Sequence, residues 1–179
     1  MSRRTLKLVL VMGVVSLLAV GGVAVAGGGG QQVREQLTGY EEVPAVSTTG
    51  HGDFRAELSR NGSTVSWRLS YDALEGDVQQ AHIHFGQEAV NGGISVFLCT
   101  NLGNSTRVGE CPPPPATITG SFGPDDVIGP ADRGMEPGAF NELLSAIRAG
   151  STYVNVHSSK WPGGEIRAQL DERGRRGDD

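Results

Sequence analysis

Apolar and polar residues alternate along much of the chain with a period of two, which is typical of β-strands that bury one face. The clearest run is Val65–Tyr71, in which every second residue is apolar. Asn61-Gly62 separates this run from an earlier one, Phe54–Leu58, and that dipeptide favours a tight hairpin turn. The same pattern predicts further strands at Gln79–Phe85, Gly93–Cys99, Ala116–Phe122, Thr152–His157 and Glu165–Leu170.

One segment departs from this period. Between Phe140 and Ile147 apolar residues recur three and four positions apart, and Gly150 follows as a stop signal. This spacing predicts a short amphipathic helix over Pro137–Ala149. Short strands, frequent turns and one late helix together predict an all-β fold, an antiparallel Greek-key sandwich or barrel.

The domain organisation follows from length and from the two ends of the chain. A length of 179 residues suits one folded domain. Residues 1–26 are typical of a secretory signal peptide, because basic residues precede an uncharged apolar run and Ala24-Val25-Ala26 offers a cleavage site. If this leader stays uncut, its apolar run would serve as a membrane anchor instead. We therefore expect an exported protein with a flexible linker over 27–35, a domain over 36–170 and a disordered charged tail over 171–179.

Composition narrows the possible functions. The net charge of −5 at pH 7 disfavours nucleic-acid binding, which rewards a basic face. After the leader, no apolar stretch approaches the roughly 20 residues that a membrane-spanning helix needs. The chain has no P-loop, no Gly-x-Gly-x-x-Gly after a strand and no Ser-His-Asp grouping, which argues against nucleotide-dependent and nucleophilic enzymes. A binding module, with an extracellular protein or a metal ion as its partner, is the better interpretation.

The chain has two cysteines, Cys99 and Cys111. Export to an oxidising compartment favours a bond between them, which would tie the intervening loop to the sheet. In the chain-entropy model such a bridge stabilises the fold by roughly 3 kcal/mol. A reactive thiol pair is the alternative, but the spacing is not the Cys-x-x-Cys of redox motifs. We therefore expect a structural disulfide.

Three of the four histidines occupy equivalent positions on predicted strands. Alternation directs Ile83 to the core and sends His82 and His84 to the opposite, outer face. His157 has the same parity on a later strand, so its ring is also expected outside the core. If the two strands are close, the imidazoles provide three ligands for copper or zinc with an open position. Otherwise they are ordinary polar residues on a solvated face, as we expect for His51.

A metal site of this kind would weaken as the pH falls through about 6.5, where free imidazoles take up protons. Placing His157 opposite Glu165 in a hairpin puts Asn155 opposite Arg167 on the same face. The metal ligands would then be held in position by three neighbouring side chains that do not bind the metal themselves, Asn155, Glu165 and Arg167. Two alternatives remain open at this point: Arg167 guides an anion, or the charged pair is simply an exposed face.

Five blocks of the sequence, taken in order, resemble the CHRD domain first recognised in chordin. They are Leu37–Pro44, Ala81–Gly86, Val96–Cys99, Leu144–His157 and Pro162–Leu170. The resemblance covers Gln36–Leu170 and implies an immunoglobulin-like β-barrel, distantly similar to the copper/zinc superoxide dismutases. It implies no particular activity.

Within this resemblance, His82-Ile83-His84 is similar to the dismutase strand that supplies two copper ligands, and Val156-His157 to the later strand that supplies another. Cys99 is placed like one half of the dismutase disulfide, although its partner here is near in sequence. Nothing matches the bridging histidine or the zinc ligands. The leading hypothesis is thus a module with copper or zinc on three histidines. The alternatives are an extracellular protein-interaction or matrix domain without metal, and dismutase-like redox activity.

Overall fold

A computed structural model describes residues 32–171 of the chain. The strands in this range are β1 (Gln32–Thr38), β2 (His51–Leu58), β3 (Val65–Asp72), β4 (Val78–Phe85), β5 (Gly93–Thr100), β6 (Ala116–Phe122), β7 (Thr152–Ser158) and β8 (Ile166–Leu170). One α-helix, α1, spans Phe140–Arg148, and short 3-10 helices lie at Gly39–Glu41, Pro124–Asp126 and Ala131–Arg133. The expected signal peptide, and the tail beyond residue 171, lie outside the described residues. Among residues 32–171, no helix combines the length and the apolar composition needed to cross a bilayer.

The strands form one sheet in the order β5-β4-β7-β8-β1-β2-β3-β6, and all neighbouring strands are antiparallel. This sheet curls into a nearly closed barrel, so the predicted fold class is confirmed. The last two strands lie between β4 and β1, which is a Greek-key crossover. As a result β7 lies beside β4, although β5, β6 and α1 separate them in sequence.

The apolar residues of the alternating runs fill the barrel interior. Burying each large side chain of this kind contributes roughly 1.5–3 kcal/mol relative to leaving it exposed. The fully or almost fully buried members include Leu37, Phe54, Leu69, Ile83, Val154, Val156, Ile166 and Leu170. The inward parity of β4 and β7 is therefore the one that the sequence predicts.

β1 begins earlier than the sequence predicts. Val33 and Leu37 point into the core, with exposed fractions of 5% and 0%, and the strand pairs with β2 along its whole length. The flexible linker expected over residues 27–35 is therefore wrong from Gln32 onward. Only two apolar residues mark the strand, and charged and amide residues such as Arg34 hide the alternation.

α1 begins three residues later than predicted. Gly138 has a φ of +84°, a left-handed conformation that a helix interior excludes, so the chain turns there before the helix begins at Phe140. Leu143 and Ile147 are buried on one face together with Phe140. The apolar spacing thus predicted the helix and its buried face correctly, while the start was misplaced by three residues and the end by one.

The outer face of β4, β7 and β8 is covered, contrary to the solvated face that alternation predicts. All seven residues of β7 are buried. Residues 39–43 contact β8, because Gln169 N donates to Glu41 Oε2 at 3.1 Å. Residues 86–92, which connect β4 to β5, are joined to the first segment by Asn91 Nδ2 donating to Val43 O at 2.8 Å. Alternation shows which side chains share a face, but not whether another segment covers that face.

The predicted disulfide between Cys99 and Cys111 is present. Asn101 holds the same loop. Its amide donates to Cys111 O and Val78 O, each at 2.9 Å, and its Oδ1 accepts from Cys111 N at 2.9 Å. The loop is thus fixed to the start of β4, the strand that carries two of the histidines.

The bridge between Cys99 and Cys111 closes a loop with a sequence separation of 12. Replacing Cys99 and Cys111 by serine should lower the stability by roughly 3 kcal/mol and the Tm by roughly 6–12 °C, because the unfolded chain gains conformational freedom. Scanning calorimetry measures the change. A reducing agent should lower the Tm of the wild type similarly and leave the double variant unchanged. Insensitivity of the wild type to reduction would contradict the expectation.

Candidate metal centre

Three histidines meet on the covered outer face of the barrel. β4 supplies His82 and His84 and β7 supplies His157, with exposed fractions of 0%, 7% and 6%. One ligand nitrogen from each ring lies within 4.8 Å of the others. The convergence that the sequence predicts is confirmed. The predicted solvent exposure is wrong, because the segments 39–43 and 86–92 cover this face.

Two irregularities in the pairing of β4 with β5 accompany the histidines. The register shifts between Ala81 and His82, and again between Ile83 and His84. Bulges of this kind increase the local twist and re-aim the neighbouring side chains. A period-two pattern assumes regular pairing, so the sequence contained no signal for them.

Backbone carbonyls fix the protonation of two rings. His84 Nδ1 lies 3.1 Å from Gly92 O, and His157 Nδ1 lies 2.9 Å from Pro162 O. A carbonyl oxygen only accepts, so each Nδ1 carries the proton and donates it, and each Nε2 keeps its lone pair. Histidines that bind metals are oriented in this way, with the second nitrogen donating to a carbonyl or carboxylate.

The remaining nitrogens suit a metal ion. Nε2 of His84 is buried and has no hydrogen-bond partner among the described residues. On His82 the nitrogen that faces His157 is Nδ1, while the buried Nε2 on the other side of the ring has no partner in that part of the chain. His82 Nδ1 lies 3.3 Å from His157 Nε2. Two nitrogens that bind one ion at about 2.0–2.1 Å with tetrahedral geometry lie roughly 3.3–3.4 Å apart, so this pair has the spacing of two ligands of one ion. Three neutral imidazoles form a donor set that fits copper or zinc.

Burial keeps the rings uncharged. It lowers the pKa of His82 to about 2, and the charges of His157 and His84 act in the same direction. Burial also lowers the pKa of His84 to about 4, although the hydrogen bond to Gly92 partly opposes this. The pKa of His157 is lowered by burial as well, against the effect of its bond to Pro162. All three imidazoles are therefore in the neutral form that a metal requires at neutral pH.

Asn155 lies at the edge of the histidine group. Its side chain is 2% exposed, and its Oδ1 is 3.1 Å from His157 Nε2. The β7–β8 pairing places Asn155 opposite Arg167, as the hairpin register predicted. Of the three side chains expected to support the ligands, this one is in direct contact with a histidine.

Arg167 is buried rather than exposed, with an exposed fraction of 1%. Its guanidinium carbon lies 3.4 Å from the centroid of the Tyr153 ring. Its N–H groups donate to Gln87 O at 3.3 Å, Val90 O at 3.1 Å, Asn91 Oδ1 at 3.5 Å and Gln169 Oε1 at 3.3 Å. The two terminal N–H₂ groups of Arg167 are thus engaged within the protein. The residue is therefore neither part of an exposed charged face nor a guide for an anion, the two alternatives that the sequence left open.

Glu165 is fully buried but makes its contacts away from the histidines. Its Oε1 accepts from Thr48 Oγ1 and from Glu75 N, both at 2.7 Å, so the carboxylate ties two loops to the end of the β7–β8 hairpin.

A second buried acid, Glu42, was not predicted from the sequence and is closer to the site. Burial raises its pKa to about 7, while the nearby Arg167 and a hydrogen bond from Asn155 act in the opposite direction.

Two further observations limit the site. His51 is exposed on β2, where its Nδ1 pairs with Thr49 O, so it is not a ligand. Within residues 32–171, the three histidines are the one group of three or more His, Cys, Asp or Glu side chains with metal-binding spacing. A second group resembling the dismutase zinc site is therefore not found in the described part of the chain.

Comparison with known proteins identifies the family of this domain. A family model described as "CHRD domain" matches residues 33–170, nearly the whole of the described fold. No curated protein and no solved structure matches the chain.

The lowered imidazole pKa values predict that the metal-free fold is sensitive to acid. Below a pH of about 6.5 the unfolded chain protonates its histidines while His82 and His84 stay neutral in the folded chain. Each of these two therefore costs stability as the pH falls, at a rate that approaches about 1.4 kcal/mol per pH unit. Glu42 acts with the opposite sign between pH 7 and 4.5, because the folded state protonates it first. Urea unfolding should show a net fall in stability between pH 6.5 and 5.5.

Two variants separate these contributions. His82→Phe should make the fall less steep by about 1 kcal/mol per pH unit, and Glu42→Gln should make it steeper by a similar amount. The comparison uses the slope against pH, so it tolerates a constant loss of stability in either variant. Equal slopes in the wild type and His82→Phe would show that this ring is protonated in the folded state.

Proposed function

We propose that this chain, which belongs to the CHRD domain family, is an exported binding module that holds one copper or zinc ion on His82, His84 and His157. The observation that carries the proposal is the convergence of three neutral imidazoles. Two of them donate Nδ1–H to backbone carbonyls and so keep a lone pair on Nε2. A buried polar atom without a partner is costly, and a bound ion would provide a partner for Nε2 of His84.

The number of ligands favours a site that can take an additional ligand. Three protein donors leave a fourth position of a tetrahedral ion for water or another group. A bound ion would supply a Lewis acid or, if copper, a redox centre at that position. Copper is the better candidate where both metals are present, because nitrogen sites generally bind Cu(II) more tightly than zinc.

Export is supported by the leader-like residues 1–26 and by the disulfide, since such bonds form mainly in oxidising compartments. CHRD domains also occur in extracellular proteins. Dismutase-like redox activity has less support. The guanidinium of Arg167 is engaged within the protein, and the described residues contain no second metal group.

Metal binding can be tested by loading the purified protein with copper and removing unbound ions. We expect one copper per chain in the wild type, measured by elemental analysis and titration calorimetry. His84→Ala should abolish stoichiometric binding while the far-ultraviolet circular dichroism stays the same. His51→Ala is the matched control, and it should bind as the wild type does because this ring lies outside the group.

A wild-type protein that is folded but retains neither copper nor zinc would contradict the proposal. That result would favour the alternative of an extracellular protein-interaction or matrix domain without a metal. Loss of binding in His51→Ala would instead show that copper binds at the surface.

The pKa values also change the expected response of metal binding to pH. Three imidazoles with ordinary pKa values would lose several hundredfold in affinity, roughly, between pH 7 and 5.5, because protons compete with the metal. Here burial lowers the pKa of His82 to about 2 and that of His84 to about 4. We expect the copper Kd of the folded protein to rise less than about tenfold over this range in competition titrations. A several-hundredfold rise would contradict the protected site.

A further inference from the structure

Three side chains form a stack beside the histidine group. His84 on β4 and Tyr153 on β7 are directly opposite each other, and their rings are parallel within 2° with centroids 4.7 Å apart. This separation is close to the spacing of neighbouring strands, so the stack follows from the register. Arg167 on β8 places its guanidinium carbon 3.4 Å from the Tyr153 centroid. Since β7 lies between β4 and β8, the tyrosine ring is enclosed between the other two groups.

We propose that Tyr153 and Arg167 are positioning residues for the metal ligand His84. They fix the plane of its imidazole, so that only Nε2 is available to an ion. The inference rests on the proposed function, because it assigns the stack a role toward the bound ion. The sequence did not predict this stack. It predicted that Arg167 supports the metal ligands, guides an anion or lies on an exposed charged face.

The hydrogen bonds of the stack support this role. Gly92 uses both of its backbone polar groups in the stack. Its N–H donates to Tyr153 Oη at 3.1 Å, and its carbonyl accepts from His84 Nδ1 at 3.1 Å. Arg167 donates to Val90 O and Gln87 O in the same connection. Every member of the stack therefore holds the segment 86–92, and turning the His84 ring would break its bond to that segment.

The burial of the stack makes these contacts strong. Tyr153 is 2% exposed and Arg167 is 1% exposed, so the cation faces the ring with little competition from water. The tyrosine also separates the guanidinium from His84. The cation can thus hold the ring in place without occupying the side of the imidazole that faces the other histidines.

The test compares substitutions that remove either the ring or only the hydroxyl. Tyr153→Leu removes the stacking surface, and Tyr153→Phe keeps it. For Tyr153→Leu we expect copper binding to weaken about 10- to 100-fold. The nitrogen hyperfine pattern of Cu(II) in electron paramagnetic resonance should also lose one imidazole. Tyr153→Phe should keep three imidazoles.

A buried tyrosine on a strand without metal ligands, β3, provides the matched control. Tyr71 is also 2% exposed, and its hydroxyl donates to a loop carbonyl, Pro112 O, at 2.6 Å. Tyr71→Leu should lower the Tm while keeping the copper affinity and three nitrogen ligands. Equal losses of copper affinity in Tyr71→Leu and Tyr153→Leu would show a general effect of instability and would overturn the inference.

A measurement on the wild type covers the case in which Tyr153→Leu does not fold. In the zinc-loaded protein, the ring current of Tyr153 should shift the carbon-bound protons of the His84 imidazole upfield in nuclear magnetic resonance. Absence of that shift would show that the stack does not persist with metal and would overturn the inference. Three nitrogen ligands with unchanged affinity in Tyr153→Leu would overturn the positioning role but leave the proposed function intact. A wild type that binds no metal would overturn both.

Discussion

Keeping three imidazoles uncharged inside the protein is the constraint on which the rest of the structure depends. Burial removes most of the water that would stabilise a charged imidazole, so it keeps the rings neutral. The N–H group of a neutral ring in turn needs an acceptor of fixed direction, and the carbonyls of Gly92 and Pro162 provide one each for His84 and His157. The two segments that cover the face and the β7–β8 turn are therefore parts of the site as well as connections between strands.

Period-two alternation predicted the geometry that depends only on strand direction. It placed His82, His84 and His157 on one side of their strands and Ile83 on the other, because a strand fixes this parity locally. It could not predict solvent exposure, which is decided by residues 39–43, a segment distant in sequence from β4 and β7. The same limit applies to the register shifts in β4, which depend on the neighbouring strand and leave no periodic signal.

The supporting residues show how far this limit extends. The hairpin register correctly placed Asn155 opposite Arg167, since both strands belong to one local unit. Glu165, from the same hairpin, was expected beside the metal ligands, but Thr48 and the Glu75 amide draw its carboxylate elsewhere. Local pairing thus predicts which side chains share a face, whereas long-range partners decide where each polar end is directed.

The separation of 75 residues between His82 and His157 has a consequence for the order of folding. Contacts between distant segments form late, because the intervening chain must first lose much of its freedom. β7 has to pair with β4 before the third imidazole reaches the other two. A chain that has not yet paired β7 with β4 therefore presents only the His82–His84 pair. A complete group of three histidines therefore requires that β7 has formed its native pairing with β4.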